Sequence, residues 1–289
     1  MIKLDSIKKL MECAVISGYL KDEQPISLFL IGRPESGKSE LIKVMRDFPN
    51  TFYTNDLSYK GCVDYVLPEV ENNKISHILI PDFINIVSHK KAAATLVPLL
   101  NSLMSEGLKD LKIYGTKKEY RDPLFCGVIT GITKEIFDKK IIYWRNIGFL
   151  TRMLVVTYGY TQLTKMAIHE YIRSGNYNNR IKPGADLTNI DKFRLRGLSV
   201  EIPKDIARAV QILSSNISEI NGYYIVRRGT YNWRVDLRTY GFRLHKNLRS
   251  LIKAICLYRT NLEGNCVTEE DLITLEEFVK FMNFNFTEI

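Results

Sequence analysis

Long apolar runs are missing from this 289-residue sequence, and no stretch approaches the roughly 20 residues a membrane-spanning helix needs. The opening MIKLDSIKKLMECAVISGYL reads as an amphipathic helix and lacks the pattern of a secretory signal, so no membrane partner is expected and the cytoplasm is the expected compartment. Cysteine is scarce. The five present (Cys13, Cys62, Cys126, Cys256, Cys266) are odd in number, dispersed and without a C-x-x-C pair, which points away from a disulfide framework and from a zinc site. The four histidines are widely separated, so no metal cluster is indicated, and His77, at the head of an apolar run, reads as structural. No internal repeat or low-complexity segment interrupts the pattern.

What the sequence has is an excess of positive charge. Its 41 Lys and Arg exceed its 32 Asp and Glu by nine, which suits an anionic partner. Two segments carry much of the excess: RIKPGADLTNIDKFRLRG (180 to 197) and VRRGTYNWRVDLRTYGFRLHKNLR (226 to 249), the second interleaving Arg with Tyr, Trp and Phe. That mixture fits phosphate contacts with base stacking, and equally a solvated helix face with aromatics turned into a core. With 45% hydrophobic residues the chain can bury a full core, and its length suggests one large domain plus a smaller one.

The most informative stretch is ISLFLIGRPESGKSELIKVM, residues 26 to 45. An apolar run, a glycine-containing loop and a helix-compatible run enclose G-x-x-x-x-G-K-[ST] at Gly32, Arg33, Pro34, Glu35, Ser36, Gly37, Lys38 and Ser39. In such a P-loop the two glycines allow backbone NH groups to turn inward around an anion. Lys38 is expected to reach the outer phosphates of a nucleotide, and Ser39 to place its hydroxyl on Mg²⁺. The following helix points its positive end at the same charge. Pro34 and Glu35 read as fillers of the variable positions. ATP and Mg²⁺ are therefore the expected cofactors.

Strand-like and helical patterns alternate over the first 158 residues. TFYTNDLSYKG (51 to 61) is an aromatic and β-branched run ending in polar turn residues, and KISHILIPDF (74 to 83) is a buried strand ending in an acid. AAATLVPLLNSLMSEGL (92 to 108) reads as a helix that Pro98 kinks or stops. LFCGVITGIT (124 to 133) and GFLTRMLVVTYGY (148 to 160) read as further buried strands. The expected fold class is α/β, a parallel P-loop sheet flanked by helices. Residues 1–160 form the nucleotide-binding core, with an N-terminal helix over 1–25, and residues 161–289 form a mostly helical lid. Asp82, at the tip of HILIPDF, stands where a carboxylate would hold Mg²⁺ through water; its bland reading is a strand-end turn residue.

In the order of these parts the chain resembles the AAA+ ATPases. Within them it resembles the branch of the minichromosome-maintenance helicases and related plasmid and phage replication ATPases. The resemblance is one of pattern over roughly residues 26 to 275. GRPESGKS looks like the family's Walker A and HILIPDF like its Walker B. NSLMSEGL followed by KIYGTKKEYRDPLFCGVITGIT looks like its helix, pre-sensor hairpin and sensor 1 strand. GFLTRMLVV is similar to its arginine-finger segment, and HKNLRSLIKAICLYRTNLEGNCVTEEDL resembles its lid.

The resemblance implies a homo-oligomeric ring that binds ATP and ADP and acts on DNA in replication initiation, unwinding or helicase loading. It casts Thr133, with Thr130 in reserve, as sensor 1. It casts Arg152, at the start of the last apolar strand, as an arginine finger reaching a neighbouring subunit, with Arg145 in reserve. Lys246 or Arg243 would be sensor 2, although the family normally has arginine there. Lys117 and Lys118 would follow the DNA backbone from the hairpin. One departure bears on hydrolysis. The family follows its Walker B aspartate with a water-activating glutamate, whereas this chain has Phe83; Glu106 is one replacement, and slow turnover another consequence. The alternatives are an ATP-dependent assembly switch with little hydrolysis, a DNA-packaging motor, and a P-loop phosphotransferase acting on a small molecule.

Overall fold

The computed structural model describes residues 3–88, 90–113, 116–175, 182–185, 190–218, 223–227, 230–234, 241–282 and 287–289. Its centre is a parallel sheet in the order β10-β7-β1-β6-β3-β2. The strands are β1 (Leu28–Gly32), β2 (Thr51–Tyr53), β3 (His77–Ile80), β6 (Gly127–Thr133), β7 (Leu154–Gly159) and the two-residue β10 (Thr287–Glu288). β1, β3 and β6 are buried on both faces, as a helix-covered parallel sheet requires. The short β4 (Leu108–Ile113) and β5 (Thr116–Leu124) form a separate antiparallel hairpin inserted before β6.

Alternation along β1 divides the core in two. Phe29 and Ile31 face a layer built from α3 (Tyr59–Gly61), α4 (Leu67–Glu71), α5 (Ile84–Val87), α6 (Lys90–Asn101), α7 (Lys134–Asn146) and the hairpin. Leu28 and Leu30 face α1 (Asp5–Ile16), α2 (Lys38–Val44) and the C-terminal helices. Those helices are α9 (Lys204–Ser218), α10 (Phe242–Arg259) and α11 (Glu269–Val279), while α8 (Gln162–Arg173) contributes no residue to this core. α10 packs on α1, α9 and α11, and its residues Leu248, Leu251, Ile252, Ala254, Ile255, Cys256 and Leu257 are all buried. A cut near residue 160 thus falls at the end of β7, and one continuous hydrophobic core crosses it.

Capping explains the start of α11. Thr268 and Asp271 exchange hydrogen bonds in a capping box, and the fully buried Asp271 also accepts two from Arg259 at 2.8 and 2.9 Å, fastening α11 to the end of α10.

Several sequence expectations need correction. In the 51 to 61 run the strand is three residues long, the chain turns at 54 to 58 among the polar residues, and α3 then begins where the run ends. α6 runs through Pro98 without stopping; its last part becomes a π-turn, Ser102–Glu106, that ends at Gly107 with φ of 77°. Leu124 belongs to the hairpin rather than to β6. Arg152 lies in a 3₁₀ turn, Leu150–Arg152, ahead of β7 rather than inside the strand. The Arg- and aromatic-rich 226 to 249 segment is no continuous helix face: it contributes to the hairpin of β8 (Tyr223–Arg227) and β9 (Thr230–Arg234) before α10 begins. Among the described residues, no helix is long and apolar enough to cross a membrane.

Candidate active site

The carboxyl ends of β1, β3, β6 and β7 lie along one edge of the sheet, where open α/β folds place their ligands. The Gly32–Ser39 loop leaves that edge from β1 and passes into α2 at Lys38. Its conformation departs in part from the expected one. Gly37 has φ of 82°, the left-handed region, but Gly32 is needed for space instead: a β-carbon there would stand 2.6 Å from Ser36 Oγ. Glu35, which reads as a filler, carries φ of 61°, a conformation that non-glycine residues seldom adopt.

Lys38 is only 9% exposed. Its ammonium donates to the carbonyls of Arg33 at 2.8 Å and Gly32 at 3.2 Å and to Ser36 Oγ at 3.1 Å, and it forms no salt bridge among the described residues. Burial pushes its pKa down, while the negative charges of Asp82 and Glu135 push it back up. A buried cation held only by neutral acceptors is an incomplete electrostatic arrangement, and an anion in the loop would complete it.

Two tyrosines, one at the end of β7 and one just past it, brace the loop. Tyr160 Oη donates to the Ser36 carbonyl at 2.6 Å and Tyr158 Oη to the same oxygen at 3.2 Å. A trans peptide sets its N–H opposite its C=O, so this pair directs the Gly37 N–H away from β7. Burial raises both phenol pKa values, Tyr160 to about 12, so both remain donors at neutral pH. Sequence reasoning missed these residues, though their i, i+2 spacing on a strand was a signal that both face one side.

Asp82 follows β3, and its Oδ1 accepts the Ile84 N–H at 3.1 Å, so it is a strand-end turn residue whose charge also acts on Lys38. Thr133 ends β6 in register with Gly32 and leads into α7, which puts it beside the loop. Thr130 is the opposite case. It is fully buried in mid-strand, paired with Phe29 and Ile80, and cannot serve as a strand-end side chain. Close approach of the strands depends on Gly131, where a β-carbon would meet the Pro81 carbonyl at 3.1 Å and Lys38 Cβ at 3.4 Å.

Phe83 is fully buried, stacked on Phe149 at 5.2 Å and set edge-on to Phe29 at 5.6 Å. Its backbone N–H donates to the Gly131 carbonyl at 2.8 Å, which ties the end of β3 to β6.

The remaining expected residues lie elsewhere. Arg152 precedes β7, at the amino edge of the sheet, away from the loop of its own chain. Its guanidinium donates to both oxygens of Glu106, to Ser105 Oγ at 2.7 Å and to the Gly148 carbonyl at 2.6 Å. Arg243, at the start of α10, joins the same cluster, donating to Glu106 Oε1 at 3.1 Å and Thr151 Oγ1 at 3.0 Å. Burial pushes the Glu106 carboxyl up, but hydrogen bonds from Arg152 and Ser105 and the charges of Arg152 and Arg243 outweigh it and hold the pKa below its ordinary value. Lys246 is exposed one turn beyond Arg243. Arg145 stands near the end of α7, whose following turn closes with the Gly148 N–H on the Arg145 carbonyl.

On the β4–β5 hairpin, Lys117 is exposed and pairs with Glu119 at 2.9 Å. Lys118 bonds Glu71 of α4 at 2.9 Å and lies 4.9 Å from the centre of the Tyr120 ring, which draws it down onto the core.

For Mg²⁺, the residues fit an ion that arrives with phosphates. No cluster of three or more His, Cys, Asp or Glu side chains capable of holding a metal occurs among the described residues, whereas Ser39 and Asp82 supply one hydroxyl and one carboxylate at the same sheet edge. No protein-family model matches the chain, and no curated protein matches it at a significant level.

Proposed function

We propose that this chain is an ATP-binding P-loop ATPase of AAA+ type, acting on DNA as a homo-oligomeric ring in the cytoplasm. The carrying observation is Lys38, a buried ammonium held by neutral loop acceptors at the carboxyl edge of a parallel sheet, with Asp82 opposite. In this reading the loop N–H groups and Lys38 bind the β- and γ-phosphates. Ser39 and Asp82 hold Mg²⁺, which when bound neutralises charge between the phosphates. Tyr158 and Tyr160 keep the loop open, and Thr133 orients water beside the terminal phosphate. The C-terminal helices act as the lid.

The DNA role is supported by the net charge of +9 and by exposed Lys117 with Lys118 on the inserted hairpin. Their ion pairs are solvent-screened and exchange readily for phosphate. Lys38→Ala is the direct test of binding. It is expected to weaken ATP binding at least about 100-fold, since it removes the charge-assisted contacts, measured by titration with a fluorescent ATP analogue. Undiminished binding contradicts the site. Turnover with and without single-stranded and duplex DNA, alongside sizing with a non-hydrolysable analogue, tests the DNA and ring roles.

A second reading, an assembly switch with little turnover, is favoured by the Arg152–Glu106–Arg243 cluster. There Arg152 is engaged within its own chain, and it would have to exchange Glu106 for a neighbour's phosphate.

A further inference from the structure

The nucleotide reading leaves the attacking water without an activating base, because Phe83 is packed among aromatic rings and Glu106 is bound by two arginines at the other edge of the sheet. We propose that Glu135, in the first turn of α7, is the carboxylate that activates water at this site; the inference rests on the ATP-binding reading above.

β6 lies between β1, which carries the loop, and β3, which carries Asp82. It ends at Thr133 in register with Gly32, and α7 begins at the next residue, so Glu135 stands two residues beyond the strand that separates the loop from Asp82. Its charge acts on the Lys38 ammonium alongside that of Asp82. The side chain is exposed, and among the described residues no ion pair engages it. The other carboxylates of α2 and α7 are committed elsewhere, while Glu35 is exposed in the variable part of the loop. Glu40 pairs with Lys43 at 2.6 Å, and Asp138, one turn along α7, with Lys134 at 2.5 Å. Two carboxylates thus follow the ends of adjacent strands, β3 and β6, with β6 next to the strand that carries the loop. Asp82, whose Oδ1 accepts a backbone N–H, suits the metal; Glu135, longer and unpaired, suits the water.

In the reaction Glu135 takes a proton from water as the water oxygen bonds to the γ-phosphorus and the bond from that phosphorus to the ADP oxygen breaks. The proton then passes to solvent, and ADP and inorganic phosphate leave. A glutamate in the first turn of a helix also favours the helix dipole, so the test must separate chemistry from helix stability.

The test uses the full chain with Glu135→Gln and Glu135→Asp, and reads affinity for a fluorescent ATP analogue, heat stabilisation by ATP, the nucleotide extracted after incubation with ATP, turnover and its pH profile. Glu135→Gln is expected to bind the analogue within about threefold of the parent, to retain ATP rather than ADP, and to lose about 100-fold or more in turnover, the range for removal of a general base. Glu135→Asp, which keeps the charge, is expected to recover part of the rate and the acidic limb of the pH profile that the glutamine variant loses. Turnover of Glu135→Gln within about fivefold of the parent overturns the assignment. So does loss of ATP binding in that variant, which would make Glu135 a binding residue, and so does a parent that binds ATP but never hydrolyses it. A parent that binds no ATP overturns the nucleotide reading itself, and is told apart from these by the analogue titration.

Discussion

Phe83 stands where the resemblance calls for a carboxylate, and its surroundings explain the difference. Its ring closes an aromatic group with Phe29, Trp144 and Phe149, so a carboxylate there would be buried among apolar rings with no cation to meet it. Phe83→Glu is therefore expected to cost about 3 kcal/mol or more in stability, the scale of losing a buried aromatic, and to gain no ATP turnover. Urea unfolding with a turnover assay checks both, and a stable, faster variant would contradict the packing argument. His77 is another buried residue with a measurable signature. It is fully buried between Ser76 Oγ at 2.9 Å and the Ile26 carbonyl at 3.1 Å, and burial depresses its pKa to about 4. An unfolded histidine titrates near 6.5, so between those values the unfolded chain binds a proton that the native chain does not. Stability should accordingly fall as pH drops from about 7 toward 4, by roughly 3 kcal/mol from this group, and His77→Gln should flatten that slope. Unfolding midpoints at several pH values read it directly. The loop lysine, the strand-end aspartate and the structural histidine were legible from residue type and spacing. Glu135 and the tyrosine pair were not, because their places near the loop arise only when β6 and β7 are set beside β1.

At the scale of elements, the strands β1, β3, β6 and β7 were legible because two-sided burial writes continuous apolar runs. The ends of those runs were less so. Leu124 and Leu150 continue apolar runs yet belong to a hairpin and a 3₁₀ turn, since hydrophobicity persists where a turn also packs on the core. The 226 to 249 segment hid a hairpin because alternating Arg and aromatic residues satisfy either period. α6 offers a test of local cost. Pro98 is exposed inside a helix that continues past it, so it removes a backbone hydrogen bond without supplying core packing. Pro98→Ala should stabilise the protein by about 1 to 3 kcal/mol, read from the denaturant midpoint. Destabilisation would mean that the π-turn at 102 to 106 depends on the proline.

At the scale of the whole molecule, one carboxylate ties together two arginines at the amino edge of the sheet. Glu106 holds Arg152 from the turn before β7 and Arg243 from α10, so a ring in which Arg152 serves a neighbour must first release it. Glu106→Gln, which keeps the shape and removes the charge, is expected to let assembly with a non-hydrolysable ATP analogue proceed at several-fold lower protein concentration, with Arg152→Ala preventing it. Light scattering across a concentration series checks both, and identical assembly curves for parent and Glu106→Gln would contradict the latch. The continuous core across residue 160 bears on how such a signal travels. α10 is rooted by eight buried residues and packs on α1, α9 and α11, so it has no free joint about which to swing. Its response to an occupied loop would be shear, a small sliding of packed helices over the sheet, rather than a hinge opening. Nucleotide occupancy would then be felt at the arginine cluster as a displacement of about an ångström or two, delivered through side-chain packing.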